Sequence, residues 1–489
     1  MNKSVRIALA ASALAIAYPV SAWVLGRQIE SAMNEQYANV DGNPFVKIVQ
    51  RDFRRGIFSS TETVSIEFFG ETMKAFALRD AEATSAAMKP MKITLRSEIR
   101  HGPFPGGMTL AAAVSDSELI LDEETKKQLA PILGDKKPLV AHTVYRFDRG
   151  GVVTLSSPAF STTLPAAEGE TPDKVTWDGI TIAIDFARGM SSYTFQADAP
   201  KFEVIDGKGG HLRMSALRAS GDQRRIFDDE PMLYAGSQKF SVGQIDAGKP
   251  GENGEGGNKV LLKELSYVID LPVNGEFIDL AAKIGAQVVQ VGKNNFGPAH
   301  YDFSLRHLHA RTIAKLHHAL LKLYADPAKL TNAANTPALF APLTEPGLEL
   351  LGHNPEISID RLSFNSPHGE ATLAARASLK DMKPEDMGNP VMLIGKLQAS
   401  AELSFPEALV GEFAGDSKAD PEKVSDEGAP GDAARQQAAD LAAQGYITRE
   451  NGTIRSKVAF GNGQLTVNGK PFNPMAMGGG MAKKSSLQN

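Results

Sequence analysis

Four histidines that lie close together in the chain are the side chains whose type and spacing could do chemistry. His307 and His309 are two residues apart, so on a regular strand both would project from one face, as two ligands of a metal ion do. His317 and His318 follow in a segment with helical periodicity. Adjacent helical residues point about 100 degrees apart, so at most one of these two could join the pair. The chemistry that this pattern would serve is metal-dependent hydrolysis.

The residues around these histidines argue against a metal site. The sequence has no Asp or Glu between Asp302 and Asp326 that could complete a ligand set or act as a base. Arg306, Arg311 and Lys315 would also repel a cation. We therefore predict a strand-to-helix junction in which the histidines are structural, and a chain with no catalytic residue, no metal ligand and no cofactor.

Motifs of known enzyme classes are absent from the sequence. It contains no H-E-x-x-H, no G-x-S-x-G, no Walker P-loop and no dinucleotide-binding G-x-G-x-x-G between a strand and a helix. The glycine-rich run from Gly251 to Gly257 lacks the Lys-Ser/Thr end of a phosphate loop. The chain has no Cys, which excludes disulfides, thiolate nucleophiles and iron-sulfur clusters. The sequence thus predicts a protein that is not an enzyme.

The charge balance argues against nucleic acid as a partner. The 489 residues include 52 Lys and Arg against 57 Asp and Glu, a net charge of -5, and no basic block supplies an electrostatic footprint. Arg51, Arg54 and Arg55 form a small basic group before Gly56. We interpret this group as a solvated turn, and contact with anionic lipid headgroups is the alternative.

The first thirty residues predict that the body of the protein is exported. Lys3 and Arg6 precede an uncharged run from Ile7 to Gly26, which is long enough to span a bilayer. The positive-inside rule then places the N-terminus in the cytoplasm, and residues 1–27 are predicted to be a signal-anchor transmembrane helix.

A cleavable signal peptide is the alternative interpretation of this segment. Val20-Ser21-Ala22 is an acceptable cleavage site, and Pro19 shortens the apolar helix before it. Apolar residues continue past that site from Trp23 to Leu25, which favours a retained anchor.

Beyond about residue 44 the dominant pattern is an alternation of apolar and polar or small residues, which is typical of half-buried strands. Strands with one apolar face and one solvent-exposed face indicate antiparallel meanders rather than a parallel sheet buried on both faces. The predicted fold class is α+β and β-dominated, with the N-terminal transmembrane helix followed by long antiparallel meanders and a few packed helices in the C-terminal half. The clearest predicted strands are Ile180–Phe186, Leu265–Leu271, Val64–Phe68, Leu373–Leu379 and Leu397–Phe405.

The helical patterns and the composition divide the chain into segments. Helices are predicted at Ile29–Tyr37 and Arg311–Tyr324, between Thr336 and Leu351, and within Ala433–Gly445. Two segments have the composition of mobile insertions, Asp246–Lys259 and Asp416–Asp432. The predicted domains are the anchor over 1–27, a β-rich exported lobe over 28–245, a second β-rich lobe with helices over 260–474, and a disordered tail over 475–489.

The last strand pattern predicts a hairpin. Ile454, Val458 and Phe460 alternate before Asn462-Gly463, a dipeptide that tolerates the positive φ angles of a tight turn. We expect this hairpin to close a sheet of the second lobe next to the Leu397–Phe405 strand.

Short motifs along the chain carry a resemblance to a known family. They are Ala22-Trp23-x-x-Gly26-x-x-Ile29-Glu30 after the apolar run, then Arg55-Gly56-Ile57-Phe58-Ser59-Ser60, then His101-Gly102-Pro103-Phe104-Pro105, and near the end Asn462 to Gly469 before Pro471-Phe472. In this order they resemble the YdgA-like family of bacterial envelope proteins. The resemblance implies a single-pass protein of the bacterial inner membrane with the bulk of the chain in the periplasm, and a homodimer has been proposed for such proteins. It supplies no catalytic residues.

The function predicted from the sequence is that of a non-enzymatic, membrane-anchored envelope protein. It would bind an apolar or extended partner, with lipid as one class, on a β-sheet surface or groove. A strand-pairing scaffold or dimeric assembly factor of the envelope is the alternative, because open sheet edges invite strand addition. A histidine-based metal hydrolase is the third interpretation.

Overall fold

The computed structural model divides the chain into two compact units. The first comprises Met1–Gly256 and Ile313–Pro346, and the second comprises Gly257–Thr312 and Gly347–Asn489. The division into lobes over residues 28–245 and 260–474, made from the sequence, remains a prediction. The structure describes residues 3–38, 40, 43–69, 91–164, 171–249, 259–324, 336–383, 386, 389–410 and 430–473. The predicted tail 475–489 and much of the two predicted insertions lie outside these residues.

Helix α1, Lys3–Ala38, is a single helix of 36 residues. It joins the predicted anchor segment to the predicted helix Ile29–Tyr37, and Pro19 lies inside it without ending it. In the part of the chain whose side chains the structure describes, we find no helix with the length and apolar character needed to cross a membrane.

The first unit is built on an antiparallel sheet. Its strands are β1 Val46–Arg55, β2 Ser59–Phe68, β3 Met91–His101, β4 Ala113–Ile120, β5 Val140–Tyr145, β6 Gly151–Ser157, β7 Phe160–Thr163, β8 Lys174–Trp177, β9 Ile180–Phe186, β10 Ser192–Ile205, β11 His211–Arg225 and β12 Tyr234–Gly248. Neighbours in the chain pair from β1 to β6, after which β6 pairs with β9 and the order continues through β10 and β11 to β12. The short strands β7 and β8 pair with each other, and β8 also pairs with the end of β10. The predicted strands Ile180–Phe186 and Val64–Phe68 are confirmed.

One helix in the N-terminal half was not predicted, because apart from Ile29–Tyr37 the predicted helices lay in the C-terminal half. Helix α2, Glu123–Leu133, begins where the Asp122 carboxylate accepts a hydrogen bond from the backbone N–H of Thr125 at 2.8 Å, and it ends at Gly134. Asp122 followed by two glutamates is a helix-start signal that sequence analysis missed, in a helix of only 11 residues that contains Pro131. A single turn of 3-10 helix, Arg188–Met190, links β9 to β10.

The second unit also contains an antiparallel sheet. Its strands are β13 Lys259–Leu271, β14 Val273–Asn274, β15 Phe277–Ala286, β16 Val288–Val291, β17 Asn294–Asn295, β18 Ala299–His309, β19 Glu356–Ser366, β20 Gly369–Leu379, β21 Leu397–Pro406, β22 Thr448–Glu450, β23 Thr453–Gly461, β24 Gln464–Val467 and β25 Lys470–Pro471. The main order runs β13, β15, β18, β19, β20, β21, β23, β24. Long strands with alternating burial therefore make the described structure β-dominated, as predicted.

The remaining helices confirm three predictions and add a fourth element. Helix α3 is Ala310–Tyr324, α4 is Thr336–Gly352, α5 is Pro390–Lys396 and α6 is Pro430–Gln444. The short α5 was not predicted. It begins where the Asn389 side chain accepts a hydrogen bond from the N–H of Val391, with Pro390 at its first position, an arrangement that satisfies an otherwise unpaired N–H of the first turn.

The predicted C-terminal hairpin is confirmed. Asn462 and Gly463 have φ angles of 52° and 73°, and the turn pairs Phe460 of β23 with Leu465 of β24. Strand β23 pairs with β21, so that Ile454 lies opposite Phe405. The hairpin therefore closes the sheet next to the Leu397–Phe405 strand.

Replacing Ile454 by Ala should lower the free energy of unfolding of the second unit by about 3 kcal/mol, because a buried Ile side chain is replaced by a cavity. Ile454 is 2% exposed. Urea unfolding followed by far-ultraviolet circular dichroism measures the change, and Arg455→Ala on the exposed face of the same strand is the control. If both variants unfold at the wild-type urea concentration, the hairpin contributes nothing to the second unit.

Candidate functional site

The C-terminal half of α1 packs against the sheet of the first unit along one stripe of side chains. Ala22, Gly26, Ile29 and Met33 recur at helical spacing and are buried. Ile29 and Met33 form a core cluster with side chains of β3 and β4, and Phe53 and Tyr145 pack around that cluster. The helix thus covers one face of the sheet's first strands.

His101 at the end of β3 fixes the position of α1. Its Nδ1 lies 2.9 Å from the backbone oxygen of Ala22, and its Nε2 lies 3.1 Å from the Ser60 hydroxyl. Because a carbonyl oxygen only accepts, Nδ1 carries the proton and Nε2 accepts from Ser60. A Cβ on Gly26 would lie 2.7 Å from the imidazole ring, so only glycine lets the helix approach this closely. Burial disfavours the charged imidazole and so lowers the pKa of His101.

Charged side chains at the same junction join helix to sheet. Glu62 is 1% exposed and accepts hydrogen bonds from Arg51 Nε at 2.6 Å and from the Tyr37 hydroxyl at 3.1 Å. Arg55 forms an ion pair with Glu30 of α1. The prediction of a solvated turn is therefore wrong for Arg51 and Arg55, which lie on β1 and contact the helix. Arg54 also lies on β1 rather than in a turn, but its side chain is solvated as predicted, with 79% of it exposed.

An apolar groove of about 500 Å³ lies beside the last turns of α1 in the first unit. Gln36 and Val40 line it on the side of the helix. The sheet, the 3-10 turn between β9 and β10 and the loop after β11 supply the remaining lining side chains: Thr143, Tyr145, Val153, Ile184, Phe186, Met190, Tyr193, Arg225, Pro231, Met232 and Tyr234.

The strand register explains why these side chains converge. Thr143 pairs with Val153 and Val153 with Ile184, so the three form one row across β5, β6 and β9. In the neighbouring row, Phe186 of β9 pairs with Tyr193 of β10 on one side and with Gly151 of β6 on the other. A Cβ on Gly151 would lie 2.7 Å from the Phe186 ring, so glycine at this position leaves room for the aromatic side chain.

Two phenols of the groove, Tyr145 and Tyr193, stay neutral at physiological pH. Burial raises the pKa of Tyr145 to about 12, and the Glu62 carboxylate contributes in the same direction. Burial also raises the pKa of Tyr193. Their hydroxyls therefore act only as hydrogen-bonding groups on an apolar surface.

Arg225 is the one formally charged side chain among those that line the groove. Its guanidinium donates to the carbonyl oxygen of Gly189 and lies 6.0 Å from the centre of the Tyr234 ring. Its Nε is buried and has no hydrogen-bond partner within the described part of the chain.

The histidines do not form the pair that a regular strand would give. His307 has a φ angle of 61°, which breaks the alternation, and its ring stacks on Phe277 at 3.9 Å between centres. His309 instead stacks against His353 at 4.1 Å. Burial and the neighbouring His309 lower the pKa of His353.

The other two predicted histidines lie in the first unit. His318 hydrogen-bonds with Glu230 at 2.7 Å. Burial lowers the pKa of His317. His307 and His309 thus lie in the second unit, where both rings contact Phe277, whereas His317 and His318 lie in the first unit.

Comparison with known proteins places the chain in one family. The model of a family described as bacterial proteins of unknown function, DUF945, matches residues 1–475. The chain belongs to the DUF945 family. No curated protein and no solved structure matches it.

Sequence analysis of this DUF945 chain missed Glu349, His353 and the groove. Glu349 lies in the last turn of a predicted helix and His353 follows one residue after the observed helix ends, a four-residue spacing that could have been noticed. The alternating pattern of the strands that carry the groove residues is visible in the sequence. The sequence does not show that β6 pairs with β9, and this pairing brings Val153 next to Ile184.

Replacing His101 by Asn should reduce the acid sensitivity of the first unit. The folded state holds the imidazole neutral because its pKa is lowered, whereas the unfolded chain binds a proton below a pH of about 6.5. Stability is therefore full above that pH and falls as the pH drops from there towards the folded-state pKa. The wild type should lose more stability than the variant between pH 7.5 and 5.

Tryptophan fluorescence during urea unfolding measures this loss, because both tryptophans, Trp23 and Trp177, lie in the first unit. His142→Asn is the control, since that side chain is 53% exposed. Equal acid sensitivity in the wild type and His101→Asn would show that the buried imidazole does not govern the junction.

Proposed function

We propose that this protein is a non-enzymatic, membrane-anchored envelope protein that binds an anionic amphiphile, such as a fatty acid or an acidic phospholipid, in the groove of the first unit. The observation that carries the proposal is an open apolar groove with one cation on its lining. Its volume of about 500 Å³ lies in the range of small-molecule sites, which are mostly apolar with a few polar groups that orient the ligand.

The chemistry of the groove favours this ligand class. Burying a methylene group contributes about 0.8 kcal/mol, so several carbons of an acyl chain along Val153, Ile184 and Met232 offset the cost of association. The Arg225 guanidinium is suited to a carboxylate or phosphate, which it can contact through a charge-assisted hydrogen bond.

Membrane anchoring is the second part of the proposal. It is supported by the uncharged residues from Ile7 to Ala17, which precede the part of α1 that contacts the sheet, and by apolar loops beside the helix. Tyr18 of α1 stacks on Phe58 at 5.9 Å, and its hydroxyl donates to the carbonyl oxygen of Phe104 at 3.3 Å. Further along the loop that carries Phe104, Met108 is 98% exposed and Leu110 is 67% exposed. Exposed apolar side chains around the helix at this level fit a membrane interface.

Retention of the anchor is supported by the packing of α1. Cleavage after Ala22 would cut the helix at the residue whose carbonyl oxygen accepts from His101. It would also remove Tyr18, which contacts two loops of the sheet. The proposed location is the inner membrane, with the body in the periplasm, as the YdgA-like resemblance implies.

The anchor should be retained when the full chain is expressed in bacteria. N-terminal analysis of the protein from the inner-membrane fraction should begin at Met1 or Asn2. Because the chain has no Cys, a single Met108→Cys can be labelled from outside spheroplasts with a membrane-impermeant maleimide, whereas Lys3→Cys should stay unlabelled. Trp23 as the mature N-terminus would contradict the prediction.

Filling the groove should prevent ligand binding. Val153→Trp places an indole in the groove, whereas Val152→Trp adds the same side chain on the opposite face of β6. We expect Val153→Trp to weaken binding of a fluorescent fatty acid at least tenfold and Val152→Trp to leave it unchanged. Fluorescence titration of the detergent-extracted protein measures both. Equal affinities in the two variants would exclude this groove as the site.

The role of the cation is tested with matched probes. Arg225→Gln should weaken binding of the fatty acid but not of the corresponding fatty alcohol, whereas a folding defect would weaken both. Mass spectrometry of lipids extracted from the purified protein distinguishes a phospholipid from a free fatty acid.

An envelope scaffold or homodimer is the second candidate function, and one surface of the second unit favours it. A row of apolar side chains crosses neighbouring paired strands of its sheet, and five of them are more than one third exposed: Tyr267, Ile284, Tyr301, Leu362 and Leu403. A contiguous exposed apolar row is typical of an interaction surface. A detergent-stable dimer without lipid in native mass spectrometry would favour this function over the first.

A further inference from the structure

Three side chains with metal-ligating atoms converge in the second unit. His309, Glu349 and His353 each offer a nitrogen or oxygen atom, and these atoms lie within 4.8 Å of one another. All three residues are partly buried. Tetrahedral zinc with bonds of about 2.0 to 2.2 Å needs ligand atoms about 3.3 Å apart. The imidazole lone pairs must also converge on the ion, so the stacked rings of His309 and His353, whose centres are 4.1 Å apart, must turn about their side-chain torsions when the ion binds.

Hydrogen bonds set the tautomer of His309. The Thr312 hydroxyl donates to a carboxylate oxygen of Glu349 at 2.9 Å. Because its only proton is used there, the same hydroxyl oxygen accepts from Nδ1 of His309, which lies 2.8 Å away. A neutral imidazole with the proton on Nδ1 presents the lone pair of Nε2. This is the arrangement in which an outer hydroxyl orients a metal-binding histidine.

The backbone around the cluster is held in place by other contacts. The His307 ring donates from Nδ1 to the carbonyl oxygen of His353 at 2.6 Å, and the His307 N–H donates to Asp279 at 2.7 Å. Phe277 lies 5.9 Å from the rings of both His309 and His353. The two candidate imidazoles are therefore positioned by neighbours that would not themselves bind the ion.

We propose that His309, Glu349 and His353 form a binding site for a divalent transition-metal ion of the zinc class. Two imidazoles and one carboxylate suit zinc, whereas magnesium and calcium prefer oxygen ligands alone. Three protein ligands leave one tetrahedral position for water. The site joins the end of β18 to the end of α4, and it does not depend on the groove of the first unit.

The sequence-based objection to a metal site is met by the fold. The segment around His309 lacks carboxylates, but Glu349 reaches it from a helix that ends some forty residues later in the chain. Of the cations near His309 in the sequence, Arg306 forms ion pairs with Glu356 and Asp360, which offset its charge.

Zinc titration of the chelator-treated, detergent-extracted full chain tests the proposal. Isothermal titration calorimetry should show one ion per chain, and cobalt in place of zinc should give the visible absorption of a four-coordinate ion. Glu349→Gln keeps an oxygen that accepts from Thr312 and so preserves the fold, yet it should weaken zinc binding at least tenfold. His353→Gln should do the same, and Thr312→Val should weaken it about tenfold.

The matched control is His318→Gln, which changes a histidine outside the cluster and should bind zinc as the wild type does. Circular dichroism checks that each variant is folded, and Glu349→Gln alone decides the matter if His353→Gln does not fold. Substoichiometric binding by the wild type, or wild-type affinity in Glu349→Gln, would overturn the proposal.

Discussion

The close packing of α1 against the sheet of the first unit is the constraint on which the rest of that unit depends. A helix can lie this near to a sheet only where one of the two surfaces lacks side chains, and Gly26 supplies that gap opposite the His101 ring. The contact links residues far apart in the chain, since Ala22 and His101 are 79 positions apart. The motifs that gave the resemblance meet here: Gly26 and Glu30 from α1, Arg55 and Ser60 from the first hairpin, and His101.

Polar groups make this packing specific. A buried carboxylate such as Glu62 is stable only when it is paired, and Arg51 and Tyr37 both bond to it. Removing one partner of a buried pair costs about 3 to 5 kcal/mol, whereas an apolar contact tolerates sliding of a helix along a sheet. Tyr37 from α1 and Arg51 from β1 thus fix the rotation and the height of the helix, and with them the wall of the groove formed by Gln36 and Val40.

Local patterns in the sequence predicted the long strands and most helices, although not α2 and α5, and they were insufficient for the sites. The alternation of Ile180–Phe186 and the turn at Asn462-Gly463 are properties of neighbouring residues, and both were predicted correctly. The sites depend on pairings between distant strands and on irregular backbone. The positive φ of His307 cannot be read from its neighbours, and it separates two histidines that a regular strand would have aligned. Glu349 was missed because it lies far from His309 in the chain, in another element, and only the fold brings the two side chains together.

Because α1 is one continuous helix, its length sets the distance between the proposed membrane surface and the groove. With a rise of 1.5 Å per residue, the helix from Tyr18 to Gln36 spans about 27 Å, which separates the proposed membrane surface from the groove. One leaflet of a bilayer has a hydrocarbon depth of only about 15 Å, half of the whole core. An amphiphile seated beside Gln36 could not keep its tail among the lipids, so occupancy of the groove would mean complete extraction from the bilayer. A rigid helix of this length would make the protein a carrier that lifts its cargo clear of the membrane rather than a clamp that holds lipid at the surface.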